Sequence, residues 1–199
     1  MLHATAVLDA NLLMTRYLRD LMLSLAERGL YRPRWSPDLM VEMRRAVERR
    51  AGDAWDTARA ERIDRTIDLM NLAFPDANIE GYTQLVLTLQ LPDPDDRHVL
   101  AAAITGNADI IVTSNLADFP AKALAPHGVE ALHPDLFIRG LIDAAPSEVV
   151  AAIETMTMRW RKPEIHIVEA LESYRTRWGP LPRSMARLQD HLARIPGEE

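Results

Sequence analysis

Four acidic residues stand where acids are usually absent. Asp9 follows directly on the apolar run Ala4-Thr5-Ala6-Val7-Leu8. Glu42 shares a helical face with Leu39, Met43 and Ala46, and Asp96 falls in line with Leu100 and Ala103. Asp118 comes after the apolar run Asp109-Ile110-Ile111-Val112-Thr113, behind Ser114 and Asn115. Taken singly, each has an ordinary explanation. An Asp after a strand is often a loop or cap residue, and Glu42 can be a boundary residue reaching solvent. Thr113, Ser114 and Asn115 are common turn formers. Taken together, acids at the carboxyl ends of strands and on facing helices would lie within about 4 to 6 Å, where each like-charge pair costs on the order of 4 kcal/mol at an effective dielectric near 20. A hard divalent cation compensates such a cluster, and carboxylates without Cys or His select Mg²⁺ or Mn²⁺ over zinc. That chemistry suits phosphodiester hydrolysis, because the ion activates water and neutralises charge on the pentavalent phosphate.

The elements that must carry these acids alternate between strand and helix. Residues 4–8 read as a buried strand, and Asn11 as the cap of a helix whose positions Leu13, Tyr17, Leu21 and Leu25 share one face, stopped by Gly29. Ser36-Pro37 opens a helix to about Arg50. A further helix spans Asp53 to about Leu72, with Trp55, Ile63, Ile67 and Met70 as buried candidates and Pro75 closing it. Residues 85–89 fit a strand or a buried helical turn, since periodicity does not separate the two. Asp93-Pro94 starts a helix ending near Gly106, with Asp93 as cap and Asp95 as a first-turn acid that the helix dipole favours. Residues 109–113 form the clearest strand, and 129–132 a weaker last one. This order implies an α/β fold with a parallel sheet and helices on both faces, and sites in such sheets gather at the carboxyl ends of the strands. From about His133 only helices are expected: 134–144, 147–161, 164–178 and 181–195, punctuated by prolines 146, 163, 180 and 182. The domain boundary is placed near residue 135, giving 1–135 and 136–199.

Composition narrows the chemistry further. The chain has 199 residues, 48% hydrophobic and 26% charged, with no cysteine. Disulfide frameworks, thiolate metal sites and cysteine catalysis are therefore excluded, and a reducing cytoplasm is the expected location. No apolar run approaches the roughly 18 to 20 residues of a membrane span. The net charge of −6 is unevenly placed: residues 66–135 carry 10 acids against 2 bases, whereas 28–65 carry 10 bases against 7 acids. A basic rim can hold phosphates while clustered acids hold a cation, so the acidic total does not exclude a polyanion. Arg44, Arg45, Arg49 and Arg50, on the helix of Glu42, are candidate phosphate contacts; the alternative is a solvated face with ion pairs such as one to Glu48. His98 lies off the inward line of its helix and reads as a surface or packing residue, and the other histidines are scattered.

Val7-Leu8-Asp9-Ala10-Asn11, the inward Glu42, Pro92-Asp93-Pro94-Asp95-Asp96-Arg97-His98-Val99-Leu100-Ala101-Ala102-Ala103 and Asp109-Ile110-Ile111-Val112-Thr113-Ser114-Asn115-Leu116-Ala117-Asp118-Phe119 resemble, in order and spacing, the four signature segments of a PIN domain. Within that family the chain is most similar to VapC-type toxins, the ribonuclease half of type II toxin–antitoxin pairs. The resemblance implies a PIN-like three-layer α/β/α fold and an endoribonuclease that uses Mg²⁺ or Mn²⁺. Asp9, Glu42, Asp96 and Asp118 become the catalytic quartet, with Asp9, Asp96 and Asp118 on the metal and Asn11, Thr113, Ser114 and Asn115 around them. Relatives often carry an acid where this chain has Asn115; Asp118 is taken as the ligand and Asn115 as its helper. RNA is the implied substrate and a VapB-like antitoxin the implied partner, and a homodimer is compatible with the pattern. The helices from about 136 resemble the added C-terminal domain of a VapC subgroup and are expected to pack on the catalytic domain or to help bind a partner.

Two other readings fit parts of the pattern. A haloacid dehalogenase-like phosphatase also begins with an Asp after its first strand, but it wants an acid where Asn11 stands, and only Lys122 could serve as its lysine. A non-catalytic regulatory module with a degenerate acid cluster is the other.

Overall fold

The computed structural model describes residues 2–160, 166–179 and 181–194. Lys162, Pro163, Pro180 and the expected helix limits at Arg161, Glu164 and Ile195 lie outside the described residues. Four parallel strands, β1 (Thr5–Leu8), β2 (Arg32–Arg34), β3 (Ile110–Val112) and β4 (Glu130–Leu132), form one sheet in the order β2-β1-β3-β4. The central strands β1 and β3 are buried throughout, as strands covered on both faces must be. In register, Val7 stands beside Arg34 on one side and Ile111 on the other. The main-chain amide of Asp9 donates to the Val112 carbonyl at 3.1 Å and that of Thr113 to the Leu132 carbonyl at 3.0 Å, so both residues leave the sheet at its carboxyl edge.

Strand β2 has no counterpart in the sequence reading. Its Arg-Pro-Arg content lacks an apolar pattern, and Pro33 cannot donate to a ladder; it is tolerated because β2 is the edge strand. The helix expected from Asn11 to Gly29 is two helices, α1 (Ala10–Leu13) and α2 (Arg16–Glu27), interrupted at Met14 and Thr15. Asp9, not Asn11, caps α1. The apolar spacing runs unbroken across the interruption, which is why the pattern hides it. Gly29 takes a φ of 71° and ends the segment as expected.

Helix α3 (Pro37–Ala51) is capped by Ser36, whose Oγ accepts from the Leu39 amide at 3.3 Å. Helix α4 (Thr57–Ala73) is capped by Asp56 and buries Ile63 and Met70, while Trp55 and Ile67 are half-buried. Trp35 ties α4 down through a 2.8 Å bond from Nε1 to the Asn71 Oδ1 and an edge contact with Phe74. Residues 85–89 contain no strand: α5 is the single turn Thr83–Val86, and Leu87 is exposed. Helix α6 (Arg97–Thr105) packs on β1 and β3 behind a 3₁₀ turn at Pro94–Asp96. The short α7 (Ala121–Leu124) packs on β4.

Helices α8 (Pro134–Ala144), α9 (Pro146–Arg159), α10 (Ile167–Thr176) and α11 (Pro182–Leu192) complete the chain. Contacts group the described residues into two compact units. One comprises Ala4–Met14 and Arg32–Leu132 and holds the sheet; the other joins Thr15–Tyr31 to the helices from His133 on. Inside the helical unit, α2 packs on α9 and α8 on α11. Tyr17 stacks on Trp178 at 4.0 Å, and the Tyr174 hydroxyl donates to the Tyr17 carbonyl at 2.7 Å. A groove of about 420 Å³ between α8 and α11 is lined by Arg139, Asp143, Arg183, Arg187 and Asp190, and Arg139 and Arg187 both pair with Asp143.

Asp135 anchors this unit. It is buried, and its carboxylate accepts the main-chain amides of Arg183 at 3.1 Å and Ser184 at 2.8 Å, capping α11 from α8. Alanine at 135 leaves those amides unpartnered and is expected to destabilise the protein by about 2 kcal/mol. Urea unfolding measures this, and an unchanged midpoint would remove the capping role.

Candidate functional site

Asp9 leaves β1 in extended conformation (φ −67°, ψ 149°) and α1 begins on the next residue, so no loop separates strand from helix. Its side chain stays buried between the two central strands. Oδ2 accepts from the Thr113 hydroxyl at 2.6 Å and from the Asn11 side-chain amide at 2.6 Å. Asn11 also donates to the Thr113 Oγ1 at 3.0 Å and accepts from the Ser114 amide at 3.3 Å, while the Asn115 amide donates to the Thr113 hydroxyl at 3.0 Å. Residues 9, 11, 113, 114 and 115 are thus one polar network across the edges of β1 and β3. Burial pushes the Asp9 carboxyl above its usual range against the lowering pull of the Thr113 and Asn11 bonds, and the nearby Glu42 charge adds to the rise.

Asp93, Asp96 and Asp118 each bring a carboxylate oxygen within 4.8 Å of the others. Asp96 and Asp118 are half-buried and Asp93 is exposed. Burial, the charges of Asp9 and Asp118, a hydrogen bond to Asp118 and the charge of Asp93 together push Asp96 up to about 7. Its carboxylate makes no capping bond to α6 and is free to face the other acids. Asn115 donates to the Asp118 Oδ2. An all-oxygen donor set of like charges, one of them driven toward protonation, fits a hard divalent cation.

Two participants escaped the sequence reading. Asp93 does act as a cap, its Oδ1 accepting the Asp95 amide at 2.9 Å, yet it also joins the acid group. A carboxylate has two oxygens, and assigning one to a cap does not exhaust it. His98 does not face solvent: its Nε2 lies 2.9 Å from the Glu42 Oε1. Burial opposes its protonation, but the Glu42 hydrogen bond and the charges of Glu42, Asp38 and Asp96 prevail and push it up. No local signal could have paired residues 56 positions apart. Alignment with Leu100 and Ala103 does not by itself distinguish Asp96, because Val99, Ala101 and Ala102 are buried as well.

Glu42 sits on α3 beside His98 rather than in the group of three. Of the arginines on that helix, Arg44 is held by Asp64 at 2.7 Å and Glu48 at 3.8 Å, with its guanidinium 5.8 Å from the Trp55 ring centre. Arg45, Arg49 and Arg50 are exposed.

Comparison with known proteins agrees with this geometry. Residues 5–117 match the model of the PIN domain, and residues 134–194 match that of the VapC50 C-terminal domain. A protein of Mycobacterium tuberculosis named "Putative ribonuclease VapC50" is 35% identical over 120 residues, which make up 60% of this chain and 66% of that protein. The match thus spans just under two thirds of that relative's length. No solved structure matches the chain significantly. A parallel sheet with acids gathered at its carboxyl edge, together with a family match over more than half of its residues, shows that the chain belongs to the PIN-domain family and carries a VapC50-type C-terminal domain.

Proposed function

We propose that the chain is an endoribonuclease dependent on Mg²⁺ or Mn²⁺ and the toxin of a type II toxin–antitoxin pair. The observation that carries this reading is the convergence of Asp93, Asp96 and Asp118 within 4.8 Å, with the charge of Asp9 close enough to raise Asp96. Asp9, Asp96 and Asp118 would hold the ion, with Glu42 completing the quartet. When bound, such an ion activates a water molecule and offsets charge on the scissile phosphate. The chain's own contribution is orientation. Thr113 and Asn11 aim the Asp9 carboxylate, Ser114 and Asn115 brace that pair through their main-chain amides, and the Asn115 side chain holds Asp118.

Arg45, Arg49 and Arg50 are the exposed cations of α3 available to RNA phosphates, and Arg44, already paired, contributes mainly by keeping α3 against α4. Asn11, whose side-chain amide donates to Asp9, offers no carboxyl where a haloacid dehalogenase-like phosphatase wants one. Residues 1–135 constitute the nuclease domain in this proposal and 136–199 the helical domain. The match to a VapC50 domain supports a VapB-like antitoxin as partner. Among the described residues no helix is long and apolar enough to cross a membrane.

The test is cleavage of single-stranded RNA by the purified protein with Mg²⁺, with Mn²⁺ and with chelator. Cleavage is expected with either ion and absent with chelator, and joint alanine replacement of Arg45, Arg49 and Arg50 is expected to raise KM several-fold at low salt, losing its effect as salt is added. Cleavage that persists in chelator would overturn the metal-dependent reading.

A further inference from the structure

Among the described residues, the hydrogen-bond partner of the His98 ring is Glu42. The His98 side chain is only 12% exposed, Nε2 lies 2.9 Å from the Glu42 Oε1, and the buried Nδ1 has no hydrogen-bond partner among the described residues. A buried ring nitrogen left without a partner carries a desolvation cost that a leucine of similar bulk would not incur. Packing alone therefore does not explain an imidazole here; the bond to Glu42 does. Glu42 in turn is 38% exposed and has a long, rotatable side chain that would otherwise sample solvent.

The two residues also join the elements on which the site depends. His98 is on α6, two residues after Asp96, and Glu42 is on α3. One turn earlier on α3, Asp38 accepts from the Tyr82 hydroxyl at 2.7 Å. The same helix is thus pinned at i and i+4 by side chains from later in the chain, and the second pin holds a carboxylate whose charge is felt by Asp9.

We propose that His98 is a positioning residue: its Nε2–H holds the Glu42 carboxylate in place beside Asp9, locking α3 to the helix that follows Asp96. This rests on the nuclease reading of the acid cluster. Glu42 left without that donor would turn to solvent and arrive in the catalytic arrangement only part of the time, which lowers turnover more than RNA binding.

The experiment compares His98→Leu, which keeps the bulk and removes the donor, with His98→Gln, whose amide nitrogen falls near the position of Nε2. For the folded Leu variant kcat in Mn²⁺ is expected to fall about 10- to 100-fold with KM little changed, and the Gln variant to recover to within about threefold of wild type. Adding His98→Leu to Glu42→Gln should cost no further activity. Independently of activity, nitrogen-detected imidazole spectra of the metal-free protein should show a protected His98 Nε2–H that becomes fast-exchanging in Glu42→Ala, with the other histidines unmoved. A Leu variant that turns over like wild type, or a His98 signal indifferent to Glu42→Ala, would overturn the proposal. If wild type cleaves no RNA with either ion, the nuclease reading falls, and the imidazole spectra alone decide whether His98 holds Glu42.

Discussion

Asp9→Asn is expected to reduce RNA cleavage on the order of 10²- to 10³-fold while leaving the protein folded and, without metal, no less stable than wild type. Both halves follow from the geometry. Asn is isosteric, and its Oδ1 can take the place of the Oδ2 that accepts from Thr113 and Asn11 at 2.6 Å each. What is weakened is the long 3.4 Å contact with the Asn11 amide and the main-chain interaction with Ala10. What disappears is a buried negative charge that burial already disfavours and that adds to the repulsion around Asp96. Removing it relieves the metal-free protein and, on the proposed reading, takes away a ligand of the ion. Rate in Mg²⁺ and thermal midpoint in chelator are the two measurements. Wild-type cleavage by the variant would sink the mechanism, and a large drop in midpoint would mean that Asp9 serves mainly to hold β1 to β3.

The second large effect is on stability, and its sign depends on metal. Asp9 and Asp96 are both raised on folding, Asp96 from 3.8 to about 7. Carboxyls raised on folding stabilise the protein fully below their unfolded pKa, and that contribution is lost as pH rises through the folded value. His98, raised above 6.5, contributes stability that is present below 6.5 and lost as pH rises through its folded value, so it acts in the same direction. Without metal the thermal midpoint should therefore fall as pH rises from 5.5 through 7. Asp96 is only half-buried, and after discounting for solvent its share is on the order of 1 kcal/mol, or about 3 °C in a chain of this size. Saturating Mn²⁺, at about 100 times its dissociation constant, adds about 2.7 kcal/mol at pH 7.5 and less at 5.5, where protons compete for the same oxygens. The slope should flatten or reverse. A midpoint independent of both pH and Mn²⁺ would show that the acids are too far apart, or too well solvated, to act as one site.

Much of this site was legible because its parts are local. Asp9 and Asp118 follow apolar strands, the Ser36 and Asp93 caps carry prolines behind them, and Glu42 lies on an apolar helix face; each is a short-range pattern of residue type and spacing. Patterns of that kind identify strands buried on both faces and the direction in which the chain leaves them. They fail where an element is defined by its neighbour. Strand β2 exists because β1 offers it an edge, not because Arg32-Pro33-Arg34 prefers extension. The break between α1 and α2 falls inside a continuous apolar stripe, and the stripe serves two units: Ala10–Leu13 belongs with the sheet, and Arg16–Glu27 with the C-terminal helices.

The sequence by itself determined the chemistry available to this protein: no thiols, no clustered histidines, and acids at strand exits in the order of a PIN domain. Spacing along a chain constrains what a residue can be. Only the tertiary structure decided which acids meet, because distance across a sheet edge does not follow from separation in sequence. It brought Asp93 to Asp96 and Asp118 although a cap already accounted for it. It turned His98 toward Glu42 although the helix pattern sent it outward, and it engaged Arg44 with Asp64 while Arg45, Arg49 and Arg50 remain at the surface.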